Sequence, residues 1–177
     1  MLTTSIKGRA LDYSRVVGGR LFRGIVYATL GEEDNIYVVL RDSYSAGIVK
    51  LEIGLETDDE VEILSFGKTS PETFDTTWPA CVVFHQNEIF VTDELNSEVS
   101  VFDTYGNILR KFGTPGTGPG QFDRPSGICF NTAGHIVVSD TMNHRIQNLD
   151  TQGNYVSSFG NEGTKNGEFL SPWGITS

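Results

Sequence analysis

Cysteine, histidine and basic side chains are scarce in this chain. Its 177 residues hold two Cys, three His and 13 Lys and Arg against 23 Asp and Glu, for a net charge of −10. Two Cys do not make a disulfide framework in a chain of this length. Cys81 and Cys129 read instead as buried free thiols, the usual state of unpaired cysteine, on the first strands of adjacent units. His85, His135 and His144 show no metal-ligand spacing, and no Cys stands near them at finger spacing, which argues against zinc. A phosphate-backbone partner needs clustered cations, and the acidic excess opposes it. No run approaches the ~20 apolar residues of a membrane span. The N-terminal MLTTSIKGRALDYSRVVGG has no apolar core of signal-peptide length, so a soluble, cytoplasmic protein is expected. No Ser/His/Asp order, nucleophile elbow or Gly-Lys-Ser/Thr phosphate loop occurs, and no apolar run is long enough to prefer a helix.

What the chain does have is a period. Phe112-Gly113 recurs as Phe159-Gly160, Phe122 as Phe169, and Pro125 as Pro172, each 47 residues on. A fixed interval of roughly 40 to 50 residues signals a propeller or a solenoid. Within one interval four strand-length runs stand between turn residues: Gly127 to Phe130, His135 to Ser139, Arg145 to Leu149 and Tyr155 to Phe159. Their bounds are Asn, Asp, Gly and Pro clusters. Four antiparallel strands, repeated radially, make a propeller blade. The expected fold is therefore all-β, a partial β-propeller.

The motif inside the unit carries a resemblance. Gly113, Gly116, Gly118, Gly120, Gln121, Phe122, Pro125, Gly127 and Ile128 are followed by Asp140, Thr141, Asn143, His144, Arg145, Ile146 and Gln147. This pattern resembles the NHL repeat. It is specific in the third unit and continues in the loop from Gly160 to Ile175. It does not resemble the WD repeat, because neither Trp precedes Asp. The resemblance implies a six-bladed propeller, of which six units of ~47 residues would need on the order of 280 residues. The chain thus looks like about half a propeller, its N-terminal part. Either the reading frame is truncated at the C-terminus or two short copies close together.

In chain order, residues 1–22 hold one opening strand, Leu11 to Val17, which would complete the last blade or stand free. Blades are expected at 23–67, 78–113 and 124–160, with the start of the next at 171–177. The first has strands at Gly24 to Thr29, Ile36 to Leu40, Ile48 to Ile53 and Val61 to Phe66. The second has them at Cys81 to Phe84, Glu88 to Thr92, Glu98 to Phe102 and Ile108 to Phe112. The first unit is degenerate: Phe74 and Asp42 fall out of step with their counterparts. Its acidic stretch Thr57 to Glu60 reads as a solvated hairpin tip, without the spacing of a calcium loop. In the second unit Asn96-Ser97-Glu98 replaces Asn143-His144-Arg145. Gly106 and Gly153 suit hairpin turns that need positive φ.

The candidate ligand-binding residues are Asp93, Asp140, Asn143, His144 and Arg145. For the two aspartates, the readings are turn carboxylates that accept backbone N–H groups or a carboxylate ring holding a cation at one channel mouth. Arg145 either pairs with a carboxylate or meets a ligand. Trp78 and Trp173 either pack between blades or line a groove. No catalytic residue, metal ligand or cofactor is identifiable; a divalent cation, calcium or zinc, would need the complete propeller.

The resemblance implies a binding or scaffold module for a protein or small-molecule ligand on the loop face. Its alternative is half of an amidating-lyase-like or lactonase-like enzyme with a metal near the channel; no residue of such an active site is matched. Exposed blade flanks, with Ile36, Val38, Leu40, Phe159 and Trp173 as candidates, suggest self-association. The charge balance gives a direct test: filter binding at low salt is expected to show no sub-micromolar RNA association that weakens steeply with salt, because the field of an acidic chain repels phosphate.

Overall fold

In the computed structural model the chain is built from β-strands. The structure describes residues 3–6, 9–12, 24–33, 35–41, 46–52, 61–68 and 75–177. The expected acidic tip at Thr57 to Glu60, together with Asp42 and Phe74, lies outside them, as does the expected opening strand beyond residue 12.

Strands β1 (Thr3–Ile6) and β2 (Arg9–Asp12) pair with each other as a separate antiparallel ribbon. Three four-stranded antiparallel sheets follow. The first is β3 (Ile25–Leu30), β4 (Asn35–Arg41), β5 (Ala46–Glu52) and β6 (Val61–Phe66). The second is β7 (Pro79–His85), β8 (Glu88–Asp93), β9 (Glu98–Asp103) and β10 (Ile108–Phe112). The third is β11 (Pro125–Phe130), β12 (Ile136–Asp140), β13 (Arg145–Leu149) and β14 (Tyr155–Phe159). Spatial order follows sequence order in every sheet. Among the described residues the only helical piece is the 3-10 turn Thr141–Asn143.

The inner strands β4, β5, β8, β9 and β12 are buried on both faces, and alternation divides each between two neighbours. In the first sheet Tyr37, Val39 and Ile48 join Val82, Ile89, Val91 and Phe102 of the second. In the second, Cys81, Phe90 and Val101 face Ile128, Ile136, Val138 and Leu149 of the third. Each such side chain contributes roughly 1.5 to 3 kcal/mol through burial. The sheets thus stack face to face, with the first strands β3, β7 and β11 adjacent.

The flanks divide differently from expectation. Val38 is buried with Val49 and Leu51, and Ile36 and Leu40 are half-buried against them. That side of the first sheet is not open. Its exposed apolar residues lie on the edge strands instead: Ile25, Tyr27 and Leu30 on β3, Val61 and Ile63 on β6. At the other end Phe159 and Trp173 are exposed, as anticipated.

Hairpin glycines limit how closely the sheets approach. Gly106 and Gly153 have φ of +82° and +87°. A Cβ on Gly106 would lie 2.7 Å from the Phe66 side chain, and one on Gly153 would lie 2.2 Å from that of Phe112. The turn of one sheet therefore rests on the last phenylalanine of the sheet before it. Gly153→Ala is expected to cost about 2 to 4 kcal/mol in urea unfolding, from backbone strain and the clash together. Gly134, at φ +79° with nothing within 4 Å of its missing Cβ, is the control; Gly134→Ala carries only the backbone part, about 1 kcal/mol.

Candidate functional site

Asp140 ends β12 and pairs in register with Arg145, which begins β13. Arg145 and Gln147 are two apart on one strand and so share a face. The 3-10 turn between the strands brings Asn143 back over Asp140. These four side chains meet at the long loop between β10 and β11.

The carboxylate of Asp140 and the N–H groups around it are all engaged. Asp140 is fully buried. Its Oδ1 accepts from the Asp123 amide at 2.8 Å and from Asn143 Nδ2 at 3.1 Å. Its Oδ2 accepts from Arg145 Nε at 2.8 Å, Asn143 Nδ2 at 2.9 Å and Gln147 Nε2 at 3.0 Å. Arg145 continues onto the loop, donating to the carbonyls of Thr117 at 2.7 Å, Gly118 at 2.8 Å and Gln121 at 2.9 Å. Asn143 also donates to the Gly116 carbonyl at 2.8 Å. Gln147 accepts from the Gly120 amide at 3.0 Å and donates to the Gln121 carbonyl at 2.6 Å. Together they form a clamp that holds residues 116–121 by their backbone.

Asp93, 47 residues earlier, stands in the second sheet and is also fully buried. Its Oδ1 accepts from the Leu95 and Asn96 amides at 3.0 and 2.9 Å. Its Oδ2 accepts from the Thr77 and Trp78 amides. Asp93 is therefore the expected turn carboxylate, whereas Asp140 accepts no amide of the turn that follows it and is filled by the Asp123 amide and three side chains. With every carboxylate oxygen already facing N–H donors, this donor set does not fit a cation. His144 is not part of the clamp. It takes the left-handed conformation, φ +53° and ψ +37°, and its Nδ1 accepts from the Ser171 amide at 3.0 Å.

Two participants escaped the list of candidates. Gln147 was detectable, since it follows Arg145 by two on a strand. Lys111 was not. In the second sheet Glu98 and Ser100 occupy the places of Arg145 and Gln147. Lys111 Nζ pairs with Glu98 at 2.8 Å and donates to the Asp75 carbonyl at 2.9 Å. The cation comes from β10 instead of β9, and no period reveals that.

Trp78 and Trp173 are 39% and 56% exposed rather than packed between sheets. The Arg41 guanidinium lies over the Trp78 ring, 4.8 Å from its centroid, and pairs with Glu94 at 3.1 Å.

Where the first strands converge, a cavity of about 310 Å³ is lined by Tyr27, Thr29, His85, Cys129, Phe130 and Ser177 among others. His85 stacks on Phe130, centroids 3.8 Å apart. Cys81 and Cys129 are free. Burial pushes the Cys81 thiol up to about 11 and raises Cys129 as well, so both remain protonated and weakly nucleophilic near neutral pH. Among the described residues no group of three or more His, Cys, Asp or Glu is placed to hold a metal.

Replacing the clamp arginine tests its geometry. Arg145→Lys keeps the charge but offers one ammonium where the guanidinium makes four contacts, and is expected to cost about 1 to 3 kcal/mol. Urea unfolding and faster amide exchange at Gly120 are the readouts.

The comparisons with known proteins agree with this architecture. No curated protein matches the chain. Its structure is similar to virginiamycin B lyase from Staphylococcus aureus, crystallised as a catalytically inactive form with quinupristin: 14% identity, TM-score 0.58, 86% of this chain and 45% of that one. It is similar to a protein of unknown function from Bacteroides thetaiotaomicron: 18% identity, TM-score 0.62, 85% and 41% covered. It is also similar to a putative 6-phosphogluconolactonase from Bacteroides uniformis: 20% identity, TM-score 0.53, 96% and 48% covered. The chain thus spans less than half the length of these structures, and at such identities the likeness concerns the fold alone. The profile of a family described as "6-bladed beta-propeller" matches residues 52–146, more than half of the sequence, and the chain belongs to that six-bladed β-propeller family.

Proposed function

We propose that this chain is part of a recognition propeller that binds a protein partner on the end of the sheets where the clamp lies. The observation that carries this reading is the division of labour at that end. Asp93, Asp140, Asn143 and Arg145 commit their polar atoms to the loops, while apolar side chains beside them face solvent. Leu95 and Met142, two residues after Asp93 and Asp140 and 47 apart, are 55% and 46% exposed. Trp78 is at the same end, before β7. Loops held by a rigid scaffold and carrying exposed apolar and aromatic side chains are the usual makings of a binding surface. The candidate residues then act as positioning residues, and the contact falls to their neighbours.

A second reading, catalysis in the channel, is favoured by the cavity with His85 and Tyr27 on its wall. The printed activities of the lyase and the putative lactonase belong to those proteins; they make the cavity worth testing with small ligands.

Photo-crosslinking separates the two readings. A photoreactive residue is introduced at Leu95, at Met142, or at Tyr105, which is 79% exposed in the β9–β10 turn at the other end of β9. Protein adducts are expected at 95 and 142 and not at 105. Equal labelling at all three, or none, would overturn the proposed surface.

A further inference from the structure

His144 is the one candidate of the third unit that the clamp does not use, and its single side-chain hydrogen bond has a direction. The Ser171 amide donates to Nδ1 at 3.0 Å, so the ring must be neutral with its proton on Nε2. A protonated imidazole would turn an N–H toward an N–H, and the bond would be lost. Histidine is the side chain whose charge ordinarily changes between pH 5 and 8.

The bond sits at a junction. Ser171 has φ +48° and opens the segment 171–177, which lies along the third sheet. Beyond it, Thr141 Oγ1 donates to the Pro172 carbonyl at 2.9 Å, and Ser126 Oγ donates to the Trp173 carbonyl at 2.7 Å. On the other side, residues 160–171 form the loop that carries Leu170, 60% exposed. A Cβ on Gly160 would lie 3.2 Å from the His144 carbonyl, so this loop packs directly on the histidine turn.

The charged groups on the surrounding segments are Asp123 and Arg124 before β11, Asp140 and Arg145 on the same turn, and Glu162, Lys165 and Glu168 on the loop. Among the described residues none forms an ion pair with His144; the five pairs present join other residues. Asp140 is held by Arg145, and Glu168 accepts from the Lys165 amide. The junction 47 residues earlier supplies a comparison within the same chain. There Ser97 and Arg124 take the same left-handed conformations, φ +53° and +51°, and a serine cannot titrate.

We propose that His144 is an acid-sensitive latch between the third blade and the segment that begins the next. Only the neutral ring accepts the Ser171 amide, so by linkage protons favour the released state. The latch is closed where the imidazole is neutral and opens as pH falls through its titration. Release loosens Ser171, where the loop 160–171 meets that segment, while the Phe169 and Pro172 bonds persist. The inference stands on this geometry and does not depend on the reading of that end as a partner surface.

The test is amide hydrogen exchange in the whole 177-residue chain, corrected for intrinsic pH dependence, with the imidazole titration followed by NMR. Ser171 protection is expected to fall by about tenfold as His144 is protonated, the size of one hydrogen bond lost. Gly120, held by Gln147, and Asp123, held by Asp140, are expected to stay unchanged and report that the fold is intact. His144→Asn keeps a residue that tolerates the left-handed conformation and removes the titration; Ser171 protection should become flat with pH. His144→Gln is the second variant with the same expectation. Constant Ser171 protection in the wild type, or a pH dependence that survives both substitutions, would overturn the latch.

Discussion

A carboxylate removed from water must have its oxygens filled, and Asp140 shows what that demand does to a fold. Burying the charge without partners would cost several kcal/mol. Asp140 recruits an amide, an asparagine, an arginine and a glutamine. Arg145 and Gln147 then extend the network to the backbone of the loop, so one buried charge fixes both the β12–β13 turn and the connection between sheets. The path of residues 116–121, and hence the angle at which β10 hands over to β11, depends on that network. The packing of Phe122 depends on it in turn: its ring is fully buried among Val99, Val101 and Ile128 only because the loop returns there.

The second sheet meets the same demand by other means. Asp93 is filled entirely by backbone amides, so it needs no arginine. Freed of that duty, Glu98 reverses the charge at the arginine position, and Lys111 reaches the preceding connection through the Asp75 carbonyl. Two adjacent blades therefore share a backbone solution while differing in chemistry. Substitution at Arg145 and at Glu98 has different meanings: one removes donors from a buried anion, the other releases a half-exposed lysine.

This economy bears on function. Side chains that look reactive in the sequence, an Asp, an Asn and an Arg within six positions, are consumed by architecture. What the architecture does not need is the exposed Leu95, Met142 and Trp78 at one end and the walls of the cavity where the first strands converge. Neither thiol is an exception, since burial holds both in the protonated form.

The sequence by itself determined the strands. Within the three four-stranded sheets each run of apolar residues between Gly, Pro, Asn and Asp became a strand within about two residues of its expected ends, because alternation and turn chemistry act over short distances. It also determined the 47-residue period, the positive φ of Gly106 and Gly153, and the turn role of Asp93. Tertiary structure alone decided which partners the side chains found. Thr92 donates to the Ser126 carbonyl in the next sheet at 2.6 Å, Lys111 replaces an arginine of another strand, Val38 is buried where an open flank was expected, and Trp78 and Trp173 are exposed where packing between sheets was one reading. These outcomes depend on how closely whole sheets approach. That distance is set by many contacts far apart in the chain, and no local pattern encodes it.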